Sequence, residues 1–241
     1  MFSKLVWLFL GVVLVGPVLA QEEAANEETS PWSGKANLGY LATSGNTENS
    51  SLNSGFEVAY TSGKWAHLLN FLAINSSESE QTTAELYELG WKTEYNFSEY
   101  NFMFGRANWR KDRFSAYNTQ MSQTAGYGRR LIDSGAHTLS VEVGAGARQS
   151  ELQDGRSEND LIFRGGLDYK WTFSETADFT QVFVVESGDV NTYMQSISAV
   201  RAQLIGSLAL VASYTVKNNS DVPPGTEKTD TFTALSLEYG F

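Results

Sequence analysis

From Trp32 onward the chain alternates between apolar and polar positions. Trp32, Gly34, Ala36, Leu38 and Tyr40 share one parity, and Ser33, Lys35, Asn37 and Gly39 share the other. A strand sends successive side chains to opposite faces, so such a segment has one apolar face and one polar face. Leu52, Phe56, Val58 and Tyr60 oppose Asn53, Gly55, Glu57 and Thr61 in the same way. Further on, Tyr87, Leu89, Trp91, Tyr95 and Phe97 oppose Glu88, Gly90, Lys92, Glu94 and Asn96. Leu139, Val141, Val143, Ala145 and Ala147 alternate with Ser140, Glu142, Gly144, Gly146 and Arg148. Leu161, Phe163, Leu167, Tyr169, Trp171 and Phe173 alternate with Arg164, Gly166, Asp168, Lys170 and Thr172. Residues 65–75, 100–113, 178–187 and 191–205 alternate less cleanly but lie between turn signals, and they too are read as strands. In 100–113 the apolar parity changes between Phe102/Phe104 and Ala107/Trp109, which predicts a bulge.

The pattern predicts twelve strands over 32–241, each long enough to cross a bilayer when tilted. Their connections alternate in character. Ser62-Gly63-Lys64, Ser98-Glu99, Asp133-Ser134-Gly135, Ser174-Glu175-Thr176 and Gly206-Ser207 are tight, whereas 44–50, 75–82, 114–118, 149–160, 187–191 and 217–230 are longer and polar. Pro223-Pro224-Gly225 in the last of these suits a loop and no central strand. Short turns at one rim, longer loops at the other and an even strand number predict an all-β fold: an antiparallel, up-and-down transmembrane barrel with its short turns on the periplasmic side. Aromatic positions form two expected belts. The short-turn belt includes Trp32, Tyr60, Trp65, Phe102, Tyr127, Trp171 and Tyr239, and the long-loop belt includes Tyr40, Tyr87, Trp109, Tyr117, Phe163, Tyr193 and Tyr214. In the final segment Leu235, Leu237, Tyr239 and Phe241 share one parity, opposite Ser236, Glu238 and Gly240. This ending on Phe241 resembles the insertion signal of bacterial outer-membrane barrels. A soluble β-sandwich or periplasmic small-molecule-binding barrel would leave the two belts unexplained.

The N-terminal residues agree with export. Lys4, the apolar run 5–15 and Val18-Leu19-Ala20 read as a signal peptide over 1–20, followed by a flexible acidic periplasmic leader over 21–31. The chain has 28 acidic against 17 basic residues, a net charge of -11, which argues against nucleic acid as a partner. Cysteine is absent, which removes thiolate chemistry.

Candidate chemistry lies on the polar parity. Lys35, Glu57, Glu88, Lys92, Glu94, Arg130, Glu142, Arg148, Arg164, Asp168, Lys170 and Glu238 are expected to line a lumen, joined by Arg106, Arg110 and Arg201. Their mixed signs fit either a selectivity lining or a salt-bridged interior that stiffens a small barrel. A membrane-embedded phospholipase or protease would need histidine near the outer rim, but His67 and His137 both follow short turns. No catalytic, cofactor-binding or metal site is expected. The carboxylates of Asp154, Glu158 and Asp160 lack the spacing of an EF-hand loop and read as an ordinary solvated loop. The acidic excess lies largely in the leader and loops, so a conducting barrel is expected to be narrow and weakly cation-preferring.

Trp32-Ser33-Gly34, Gly39-Tyr40, Thr43-Ser44-Gly45-Asn46-Thr47, Gly126-Tyr127-Gly128-Arg129-Arg130-Leu131 and Tyr239-Gly240-Phe241 resemble the YdiY-like family of salt-stress-induced outer-membrane proteins. The resemblance implies a barrel of the envelope or osmotic-stress type in the bacterial outer membrane. The expected partners are outer-membrane lipid and, during assembly, the insertion machinery and periplasmic chaperones, with the barrel itself a monomer.

Overall fold

The computed structural model describes residues 30–43, 49–78 and 81–241. The expected signal peptide, most of the acidic leader and the Ser44-Gly45-Asn46-Thr47 turn lie outside them. The strands are β1 (Trp32–Thr43), β2 (Asn49–Ser62), β3 (Trp65–Glu78), β4 (Gln81–Asn96), β5 (Asn101–Asp112) and β6 (Tyr117–Asp133). They continue as β7 (His137–Leu152), β8 (Ser157–Ser174), β9 (Ala177–Gly188), β10 (Thr192–Ile205), β11 (Leu208–Asn219) and β12 (Thr229–Gly240). Each pairs antiparallel with its sequence neighbours, and β1 pairs with β12, so twelve strands form a closed barrel.

Closure leaves no sheet edge, and alternation then decides which side chains face out. Leu38, Leu89, Val143, Leu161, Phe163, Val200 and Leu237 stand on the outer surface, with Val143 62% and Leu161 78% exposed. In water, exposing each large aliphatic side chain would forgo roughly 1.5–3 kcal/mol. Against hydrocarbon that cost vanishes, and the closed ladder satisfies the backbone groups. Short-rim turns form at Gly63 and Gly206, whose φ of 57° and 54° glycine adopts without steric cost.

Several details correct the sequence reading. No bulge interrupts β5 between Phe102 and Trp109: both of its ladders run without a shift there. Phe102 and Phe104 instead point into the barrel, 1% and 4% exposed. Tyr117 and Tyr193, expected in the outer belt, are likewise inside, at 4% and 6%. The register shifts that do occur lie near strand ends, at Ser76/Ser77, Tyr117/Thr119, Arg130/Ile132, Thr172/Ser174 and Gln203/Ile205. Several strands also run further than their apolar pattern. Gln149–Leu152 and Ser157–Asp160, expected in a loop, pair in register, because backbone pairing needs no apolar side chain.

Two close approaches explain conspicuous glycines. A Cβ on Gly128 would lie 2.2 Å from the Phe102 ring, so the glycine is the notch in which that ring sits. A Cβ on Gly34 would lie 2.5 Å from the Phe241 ring on the outer surface. Gly34 and Phe241 also exchange reciprocal backbone hydrogen bonds of 2.9 Å, extending the β1–β12 seam by one pair.

Candidate functional site

The inward parity gathers polar side chains in the lumen, and pairing fixes them at different heights. Near the short-turn rim, Lys35 faces Glu57 at 3.4 Å, and Arg201 lies 2.8 Å from Glu238 and 3.9 Å from Asp178. Lys170 is 3.9 Å from Asp178, and Arg130 is 3.2 Å from Glu94. Half-exposed side chains at this rim, Lys35 and Lys170 among them, are screened by solvent and contribute little to stability.

Deeper in, Lys92 lies 2.6 Å from Glu94 and also donates to Glu142, which is only 2% exposed and has Arg106 on its other oxygen at 3.9 Å. Asp168, on β8, shares the inner face with these groups and feels the charges of Lys92, Arg106 and Arg164. Lys92 and Arg130 both lie over the Phe102 ring, at 5.4 and 4.8 Å from its centroid. The inward phenylalanine thus serves as a platform for two cations.

Two contacts span the lumen. Lys217 on β11 reaches Glu88 on β4 at 2.5 Å, across an arc that β12, β1, β2 and β3 occupy in the wall. Arg110 on β5 stacks on Tyr193 of β10, 4.3 Å from the ring centroid. Toward the long loops, Arg164 pairs with Glu186 at 2.8 Å and Arg148 with Asp160 at 3.3 Å. Arg148 also donates to the carbonyl of Asn191 at 2.5 Å. Burial makes an ion pair's desolvation large, so these contacts hold geometry more certainly than they add stability.

The long-loop mouth is partly roofed. Ala116, Tyr117 and Leu152 form a buried cluster against Val222, and the Tyr117 hydroxyl donates to the Asp221 carbonyl at 3.3 Å. Gln153 ties 113–116 down by donating to the carbonyls of Asp112, Arg113 and Ser115. The carboxylates of the 154–160 segment diverge. Asp154 binds Arg156 at 2.8 Å, whereas Asp160 faces Arg148 and accepts from the amides of Asp189, Val190 and Asn191. The backbone N–H and guanidinium of Arg156 hold the exposed Asp154 carboxyl below the usual carboxylate range. Among the described residues no group of histidine and carboxylate side chains is arranged to hold a metal ion.

The histidines sit in the outer aromatic girdle. His67 stacks between Tyr60 and Trp65, and His137 stacks on Tyr169 and Trp171 with its Nδ1 2.9 Å from the Tyr169 hydroxyl. Sequence reasoning missed Lys217, Asp160 and Glu186, assigning the first two to loops and leaving the third in a blurred strand. The available signal was parity: Lys217 shares the inward parity of Ser213 and Thr215, and continuing β11 by one residue would have found it.

An apolar outer surface, a closed twelve-strand ladder and a braced polar lumen define an outer-membrane-type barrel. The fold is similar to that of the COG4313 outer membrane channel from Pseudomonas putida F1, with TM-score 0.54, 10% identity, and coverage of 92% of this chain and 100% of that one. The NanC porin gives TM-score 0.49 and 7% identity over 87% of this chain and 97% of its own. Residues 36–241 match the family described as protein of unknown function, DUF481. The chain is also 32% identical over 241 residues, 95% of each protein, to the uncharacterized protein YdiY of Escherichia coli strain K12. It belongs to the DUF481, YdiY-like family.

Proposed function

We propose that this chain is a bacterial outer-membrane barrel that acts as a narrow, low-conductance diffusion channel rather than an enzyme. The observation that carries this reading is the Lys217–Glu88 ion pair joining opposite walls at 2.5 Å. A strut across the lumen excludes bulky solutes, while the polar lining beside it keeps a wetted path for small ones. Acidic side chains at the loop rim, such as Glu151, Asp154, Asp189, Asp221 and Glu227, concentrate cations at the mouth. The preference is therefore weakly cationic at low salt and fades as the Debye length shortens. The role in envelope or osmotic stress rests on the family resemblance, and export on the N-terminal pattern.

Planar-bilayer recording of the purified chain tests the reading. Small, salt-dependent current steps are expected, and Lys217→Met combined with Glu88→Met removes the strut while Gln120 and the Tyr193 ring still hold Arg110, so the steps should grow. Silence of the wild-type barrel at all voltages and salts would replace the channel with a purely structural envelope role.

A further inference from the structure

The lumen holds a cavity of about 210 Å³, room for several waters. Four guanidinium groups line it: Arg106 and Arg110 from β5, Arg148 from β7 and Arg164 from β8. The carboxylates in the lining are Glu88 and Glu186, and both are engaged, Glu88 by Lys217 and Arg110 and Glu186 by Arg164. Donors nevertheless remain over. Arg106 Nε, Arg148 Nη1 and Arg164 Nε are buried without a hydrogen-bond partner, and Arg148 and Arg164 are only 3% and 6% exposed. Leaving a buried charged donor unpaired is costly, and three of the four lining arginines each carry one. The remaining wall differs in kind. Val182 and Val184 from β9 and Ile197 from β10 turn apolar side chains toward the same space.

We infer that this cavity binds a small aliphatic carboxylate. The carboxylate accepts from the guanidinium donors, whose planar forks match its two oxygens. The short alkyl body lies against Val182, Val184 and Ile197. A cation would meet four arginines, and a bare oxyanion would leave the aliphatic wall against water. The acidic rim selects ions that enter, whereas the deeper cavity holds one of opposite sign. The inference rests on the channel reading for access to the cavity.

Calorimetric titration of sodium butyrate into the full chain folded in detergent tests the site, with butylammonium chloride and inorganic phosphate as comparators. Saturable butyrate binding is expected, with weaker binding of phosphate and none of butylammonium. Arg106→Gln should weaken butyrate about tenfold, the scale of one charge-assisted hydrogen bond. Arg164→Gln paired with Glu186→Gln should do the same without stranding a buried ion, and retained heat-modifiable gel migration reports that each variant folds. Absence of saturable butyrate binding, equal binding of butylammonium, or folded variants that bind unchanged would overturn the site. Phosphate binding as tight as butyrate would overturn its aliphatic half. Bilayer recordings separate the two readings: current steps without butyrate binding leave the channel and sink the site, and binding without current steps does the reverse.

Discussion

At the β1–β12 seam the ladder registers four residue pairs, from Lys35 opposite Gly240 to Leu38 opposite Leu237. The hydrogen-bonded pair of Gly34 and Phe241 extends it. Across the barrel, β6 and β7 pair from Tyr117 opposite Leu152 to Asp133 opposite Thr138. The interiors differ as much as the ladders. Behind β6 and β7, Phe102 sits in the notch at Gly128, and Glu142 is gripped by Lys92 from β4. At the seam, Lys35 pairs with Glu57 on β2 and Glu238 with Arg201 on β10, so these charges hold the neighbouring strands rather than the seam itself. The Ser236 hydroxyl donating to Asn53 at 2.8 Å does bridge from β12 to β2. One wall is thus fixed by backbone and interior together, and the seam mostly by backbone. A closed barrel therefore carries its cooperativity unevenly around its circumference.

The largest expected effect tests the outer face of the strong wall. Val143→Arg places a charge in hydrocarbon near mid-strand and should cost roughly 2–4 kcal/mol. Urea unfolding in lipid vesicles measures it, and a cost near zero would mean that Val143 does not face lipid. The inner face comes next. Glu142→Gln keeps the shape but takes the charge from Lys92 and Arg106, and should cost about 1.5–3 kcal/mol, the worth of hydrogen bonds to charged groups. An effect confined to a few tenths would show that the neighbouring Glu94 alone satisfies Lys92.

Deleting Phe241 probes the seam. It removes two backbone hydrogen bonds, about 2 kcal/mol in all, and the ring over Gly34. Since the seam has little else, the folded, heat-modifiable fraction should fall more than the energy alone implies. Unchanged abundance and migration would remove the contrast between seam and wall. The smallest effect is in the loop at 153–156. Asp154 has a depressed folded-state pKa, so whatever stability it lends is present above its unfolded value of about 3.9 and is lost as pH falls through the folded one. Asp154→Asn should lower stability slightly and by the same amount from pH 7 to 5, and the gap from wild type should close in stronger acid. A gap at pH 7 as large as that of Glu142→Gln would show that the loop matters more than its exposure implies.

The barrel was legible because period-2 alternation is a local signal, and a lipid-facing surface makes it strong. Leu161 to Phe173 needs no partner strand to be read. Phe102 was misread because an aromatic near a rim fits the outer belt equally well. The space that admits Phe102 is made by Gly128, on another strand. The lumen charges were legible as a parity class, but their pairing was not. Lys217 and Glu88 are brought together by barrel curvature and strand stagger, which no single strand encodes. The arginine cavity was hidden for the same reason. Mixed signs along the sequence concealed that four guanidiniums line one cavity.

The seam also has a consequence in time. Every other ladder joins strands adjacent in sequence, whereas β1–β12 brings residue 34 to residue 241. Hairpins can therefore zip locally, and the long closure follows, at an entropic cost that grows only logarithmically with loop length. Until it forms, β1 and β12 are open edges able to pair with another copy of themselves. Intramolecular closure and edge-to-edge oligomerisation thus compete for the same hydrogen bonds, and protein concentration during refolding decides the winner.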